Sequence, residues 1–178
     1  MQRSGGSLFA LVETLFDIVR LRKGPDAIPY STVLFAIIVA MWLLAGVIMT
    51  LMMAELDARD FIIGTVTGLA GLLCYTAIVV LAGYRARLLQ AIMALLGCGA
   101  LISLVFVVGT LVLGPFLSDN LVNFVMSLVL LWTVPVEGHI IASTIERHWY
   151  VGVVAAMAIF IFQLFLYSAM DPSTISPA

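Results

Sequence analysis

Apolar residues fall into five long runs, 31–53, 61–84, 88–113, 121–144 and 150–170, separated by connections of only a few residues. Each run approaches the ~20 residues a helix needs to cross a hydrocarbon core of ~30 Å. Strand-like alternation is absent, and the short connections suit neighbouring antiparallel helices. The pattern therefore predicts an all-α integral membrane protein with five transmembrane helices, since helices satisfy their own backbone in lipid. Residues 1–30 read differently. Over 8–21 the apolar positions Leu8, Leu11, Val12, Leu15, Phe16 and Val19 recur every three or four residues, with Glu13, Thr14, Asp17 and Arg20 between them. That is an amphipathic helix. It is expected either flat on the membrane, with Arg20, Arg22 and Lys23 at lipid headgroups, or packed on the rim of the bundle. Gly24, Pro25 and Pro29 are expected to end it and turn the chain into the first span. The order of apolar and basic residues is the reverse of a cleavable signal peptide.

Composition agrees: 63% of the residues are hydrophobic and 10% charged, too little polar surface to cover a soluble globule of 178 residues. The net charge of −2, without a basic cluster beyond 20–23, excludes nucleic acid as an expected partner. The charges also orient the chain. Arg3, Arg20, Arg22, Lys23, Arg85, Arg87 and Arg147, seven of the eight Lys and Arg, fall on one side of the five-span pattern. Only Arg59, among Glu55, Asp57 and Asp60, falls on the other. By the positive-inside rule the amino terminus is cytoplasmic, and the tail 171–178 lies across the membrane. Short loops and small size suit a bacterial inner membrane.

In lipid, helices associate through close backbones, so small residues mark packing faces. Gly64, Gly68 and Gly71 in the second run, Gly97 in the third and Gly152 in the fifth are expected at helix contacts, within the chain or between protomers. Cys74 and Cys98 read as small packing residues at similar depth, able to touch if their helices pair.

The fourth run holds the candidate chemistry. Glu137 is an acid inside an apolar segment, where a carboxyl is costly unless paired, solvated or protonated. Pro135 removes an amide and is expected to kink the helix just before it. Three readings stand. Glu137 pairs with Arg87 or Arg85, or accepts a hydrogen bond from Gln90; it serves an ion or proton path together with Gln90 and Gln163; or it meets a partner. His139, two residues on, points to the opposite side of the helix, so the two do not form a metal site. Trp149 and Tyr150 suit an interfacial belt. No Ser/His/Asp set, HExxH, CxxC or Gly-rich phosphate loop occurs, so no catalytic residue, metal or cofactor is expected.

The exit LRKGPDAIPYS from the first helix, the five closely spaced spans, and Trp132, Gly138 and Gly152 around the short loop between the last two runs resemble the Ypt-interacting-protein (YIP) family in its bacterial form. The resemblance implies a scaffold or membrane-organising role rather than catalysis. Eukaryotic members act in vesicle traffic through small GTPases, but the long cytoplasmic extension of many of them has no counterpart ahead of this bundle. Expected partners are membrane lipids and either further copies of the chain or other membrane-protein subunits. A small oligomeric ion or proton channel built on Glu137 is the alternative.

Overall fold

The computed structural model describes residues 5–52 and 58–170; the connection 53–57 and the tail 171–178, with the acidic residues expected there, lie outside the described residues. The described residues are helical, without a strand. They form α1 (Gly5–Val19), α2 (Thr32–Met52), α3 (Ala58–Leu81), α4 (Leu88–Leu113), α5 (Asp119–Leu131), α6 (Thr133–Thr144) and α7 (Trp149–Met170), with 3₁₀ turns at Pro25–Ala27 and Arg85–Arg87. Five segments are long and apolar enough to cross a membrane: α2, α3, α4, α5 with α6, and α7. The bundle has a basic end, where Arg85, Arg87 and Arg147 join α3 to α4 and α6 to α7, and a far end opposite.

The fourth run is interrupted where its sequence removes a hydrogen bond. Pro135 has no amide to offer the carbonyl of Leu131, and the next bond, from the Val136 amide to the Trp132 carbonyl, is stretched to 3.4 Å. Thr133 Oγ1 donates to the Leu130 carbonyl (2.7 Å) and covers the break. Trp132 thus separates α5 from α6.

Packing does not simply follow chain order: α6 and α7 are chain neighbours and pack closely, but α2 and α3 each pack chiefly on a helix further along the chain. α4 is the central helix, touching α1, α2, α3, α5 and α6; α2 packs mainly on α4, and α7 on α6 and α3. The split follows from side-chain volume. Ala91, Ala94, Gly97, Cys98 and Ala100 keep the basic-end half of α4 slim, so neighbours approach it from several sides at once. Over half of α4's apolar segment (56%) is buried, against 11% for α2 and 17% for α7, whose outward side chains are apolar and exposed.

Three helices end in the same way, with a residue in the left-handed region and the following amide reaching back five residues. For α3 that residue is Gly83 (φ 90°), and the Tyr84 amide reaches the Val79 carbonyl. For α1 it is Leu21 (φ 59°), with the Arg22 amide on the Asp17 carbonyl at 2.8 Å. For α6 it is Glu146 (φ 53°), with the Arg147 amide on the Ala142 carbonyl at 2.9 Å. The stop of α1 is therefore set at Leu21, ahead of Gly24, Pro25 and Pro29, to which the sequence assigns it.

α1 does not stand apart from the bundle. Leu11, Leu15 and Ile18 are buried against α4 and α6, while Glu13, Phe16 and Arg20 face outward. A side chain on Gly97 would run into Leu15, 2.7 Å from Cδ2, so Gly97 is the notch that admits α1. Gly97 lies nine residues into α4, ~14 Å from its start at a 1.5 Å rise. The contact is well inside the bundle rather than at its rim.

The expected packing glycines divide by what they face. Gly138 and Gly152 bring the backbones of α6 and α7 together: a Cβ on Gly152 would overlap the Gly138 carbonyl oxygen, and one on Gly138 would lie 2.7 Å from Val153 Cα. A Cβ on Gly68 would lie 3.2 Å from the Trp42 ring. Gly71 receives the side-chain amide of Gln163. Gly64 departs from the expectation, because a Cβ there meets nothing within 4 Å; it opens on a cavity instead of a helix.

Gly152→Ala is accordingly expected to lower the thermal transition of the detergent-purified protein, at an overpacking cost of about 1–3 kcal/mol. Gly64→Ala should leave it unchanged or raise it slightly, since only helix propensity changes. Equal transitions for the two variants would contradict this packing.

Candidate functional site

The polar residues expected inside the bundle are all present, but they answer to different partners from those the sequence suggests. Glu137 lies seven residues before the end of α6, ~10 Å in from the basic end. Its Oε2 accepts a hydrogen bond from the Tyr75 hydroxyl of α3 at 2.5 Å. Tyr75 lies six residues before the end of α3, ~9 Å in, so the two groups meet at one level. The expected pairing with Arg87, Arg85 or Gln90 does not form. Arg87 stays at the basic end, 2.7 Å from Glu146 Oε1 and 5.6 Å from the Tyr84 ring centroid. Both side chains of that pair are substantially exposed, and such a pair contributes little to stability. Neither this pair nor Lys23–Asp17 reaches Glu137.

Gln90, His139 and Trp132 share one task. Val19 is the last helical residue of α1, and the chain beyond it runs to Ile28 largely without helical hydrogen bonds, leaving carbonyls in need of donors. Trp132 Nε1 donates to the Val19 carbonyl (3.1 Å), His139 Nε2 meets the Lys23 carbonyl (3.0 Å), and Gln90 Nε2 donates to the Ile28 carbonyl (2.8 Å). A carbonyl only accepts, so Nε2 of His139 carries the hydrogen. Trp132 and His139 are seven residues apart, two turns, and so present one stripe of the interrupted helix to this segment. The Cys98 thiol points to the Leu15 carbonyl at 3.8 Å and completes the seam. Both cysteines are free.

Along α1 itself, Lys23 Nζ lies 2.8 Å from Asp17 Oδ2. The hydrogen bond from Lys23 holds the Asp17 carboxyl below its ordinary range and raises Lys23 in turn. What this pair contributes is present above the usual carboxylate range and is lost as pH falls through the lowered value of Asp17. Of the three cations expected at headgroups, Lys23 is thus engaged by the chain itself. Arg20 lies 5.9 Å from the Phe16 ring centroid, and Arg22 is exposed.

Gln163 of α7 does not approach Glu137. It fills the Gly71 notch and donates to the Thr67 carbonyl at 3.1 Å, joining α7 to α3. Glu137, Gln90 and Gln163 therefore serve three separate contacts and do not line one path. Among the described residues no three His, Cys, Asp or Glu side chains cluster as metal ligands. Chemically, the site is an acid and a phenol sharing a hydrogen bond, beside a row of donors that fix a backbone.

Sequence reasoning missed Tyr75 and the indole of Trp132. Matching depth would have found the first, since Tyr75 and Glu137 stand within one residue of the same distance from the basic end. The role of Trp132 carried no such signal, because its acceptor is a backbone carbonyl.

Tyr75→Phe leaves the carboxyl without its donor and is expected to destabilise the protein by about 1–3 kcal/mol. Adding Glu137→Leu should restore part of that loss, as a thermal double-mutant cycle would read; strictly additive losses would contradict the pairing. His139→Leu should raise the rate of trypsin cleavage after Arg22 or Lys23 about fivefold, for one lost hydrogen bond of ~1 kcal/mol. Comparison of the chain with protein-family models, curated proteins and solved structures gives no match.

Proposed function

We propose that the chain is a five-span integral membrane protein, its basic end cytoplasmic, acting as a non-catalytic membrane-organising scaffold or accessory subunit. The observation that carries this reading is the position of α1. Its outward face bears Glu13 and Arg20, followed by exposed Arg22 and Lys23, and such groups need water or headgroups. Yet α1 crosses α4 at Gly97, ~14 Å from the start of that helix, and its end is tied to Trp132, ~18 Å from the end of α6. On the side of α3 and α7, exposed Leu81, Trp149, Tyr150 and Val151 continue the apolar surface to the basic end itself. A bilayer that follows both faces is thinner in its cytoplasmic leaflet along α1 than across the bundle from it.

The YIP resemblance belongs to the same reading. Its three residues hold the region together, Trp132 on Val19 and Gly138 on Gly152. The closed polar contacts favour a scaffold over an ion path, because Glu137, Gln90 and Gln163 go to separate partners. Short loops support a bacterial inner membrane.

Depth-dependent quenching by lipids brominated at shallow or deep acyl positions tests this with single-tryptophan variants. Trp132 and Trp149 should both report shallow positions, and Trp42 a deep one. Quenching of Trp132 by the deepest bromines would overturn the thinned leaflet. In proteoliposomes, a proton flux lost in Glu137→Gln would overturn the scaffold reading in favour of a channel.

A further inference from the structure

α5 turns its polar residues away from the bundle. It packs chiefly on α4, burying Val122 and Met126. Its rotation is set at Gly109 of α4, where a Cβ would lie 2.8 Å from Met126 Cε. With that face turned in, Asn120, Asn123 and Ser127 come out on the opposite side, all three exposed. They recur at spacings of three and four residues, the spacing of a seam between two helices. Exposed Leu121, Phe124 and Leu128 flank them.

Polar groups elsewhere in the spans are satisfied within the chain. The hydroxyls of Thr50, Thr67, Thr110 and Thr144 turn back onto carbonyls of their own helices, and Ser127 does the same on the Asn123 carbonyl at 2.7 Å. A side-chain amide carries two donors and an acceptor, so it asks for more. Of the side-chain amides among the described residues, those of Gln90 and Gln163 reach carbonyls of other segments. Those of Asn120 and Asn123 have no hydrogen-bond partner among the described residues. The contact of Gly109 with Met126 also fixes their depth. Three residues from it toward the far end, ~4.5 Å, exposed Val112 of α4 stands level with Asn123 of α5, and exposed Phe116 follows beyond. Asn123 therefore lies within the apolar surface, where an unmet amide is costly.

We propose that this stripe is the contact with a second copy of the chain, the α5 helices of two copies pairing about a twofold axis along the membrane normal with their Asn123 amides facing each other. Copies inserted in one orientation bring each residue to the depth of its own counterpart, so a contact on the axis joins like groups. A primary amide suits that position, because its N–H meets the carbonyl oxygen of a second amide in both directions at once. From Asn120 to Val136 the sequence has no charged residue to oppose the approach. The contact rests on the membrane insertion proposed above and goes beyond it by naming a surface and its occupant.

The test counts photobleaching steps of the fluorescently tagged full chain in liposomes of rising protein-to-lipid ratio. Two-step particles should replace one-step particles as the ratio rises. Asn123→Leu, on an outward face, should keep the fold and raise the dissociation constant about tenfold, for two hydrogen bonds lost in each dimer. Asn123→Gln keeps the amide and should recover most of the affinity. Independently, in a chain with Cys74 and Cys98 replaced by serine, Ser127→Cys should oxidise between two copies in native membranes, and Leu73→Cys, on an exposed face of α3, should not. One-step particles at every ratio would overturn the contact, as would a dimer that Asn123→Leu leaves unchanged or a Ser127→Cys thiol trapped on a different protein. Release of the chain from native membranes by alkaline carbonate would instead overturn the membrane reading.

Discussion

A backbone carbonyl left open past a helix end calls for a donor, and the segment between α1 and α2 leaves several of them open. That need organises the basic half of this protein. The carbonyls of Val19, Lys23 and Ile28 are met by Trp132, His139 and Gln90, drawn from the interrupted fourth run and the central helix. Because the donors come from α4, from α6 and from Trp132 at the junction of α5 and α6, the amino-terminal segment ties the central helix to the fourth run. The interruption beside Pro135 lies in the same region, with Trp132 at the break and His139 two turns on.

Close backbones supply the second condition. α6 and α7 meet at Gly138 and Gly152, where no side chain intervenes, and this contact holds the short α6 upright beside a full-length helix. Gly97 and Gly71 work otherwise: each is a notch for a side chain of another helix, Leu15 in one case and Gln163 in the other. With α6 fixed in this way, Glu137 is carried to Tyr75 on a helix that is not its chain neighbour. The acid joins helices that loops alone do not bring together. Far from this half, α2 and α7 present apolar side chains outward, and the cavity beside Gly64 lies between them.

Much of the architecture was legible from the pattern alone. Five runs of membrane length, an amphipathic first helix and a disturbed helix beside Pro135 are local properties, and the structure has the five long apolar segments, an α1 with one buried face and a break at Trp132. The partners were less legible. Chemical complementarity suggested an arginine for Glu137, but Arg87 stands at the end of the bundle, ~10 Å from the depth of the acid, where Glu146 takes it. Spacing showed that His139 and Glu137 face apart without revealing that a bare carbonyl waited for the imidazole. Small-residue patterns identified Gly64 and Gly68 alike, yet one meets an indole and the other a cavity. A glycine marks room for something, and only the fold says what enters.

The segment after α1 is seated on α6 as part of the bundle. A Cβ on Gly24 would lie 3.4 Å from Ser143 Cβ, about the ~3.8 Å separation found in disulfides. In a chain with Cys74 and Cys98 replaced by serine, Gly24→Cys with Ser143→Cys should therefore oxidise within one molecule in native membranes. Counting alkylated thiols by intact mass, with and without reduction, reads this directly. A protected pair in monomeric protein is the expected result. Two thiols that stay open to alkylation, or that link only between molecules, would contradict the seated segment and the polar seam that holds it.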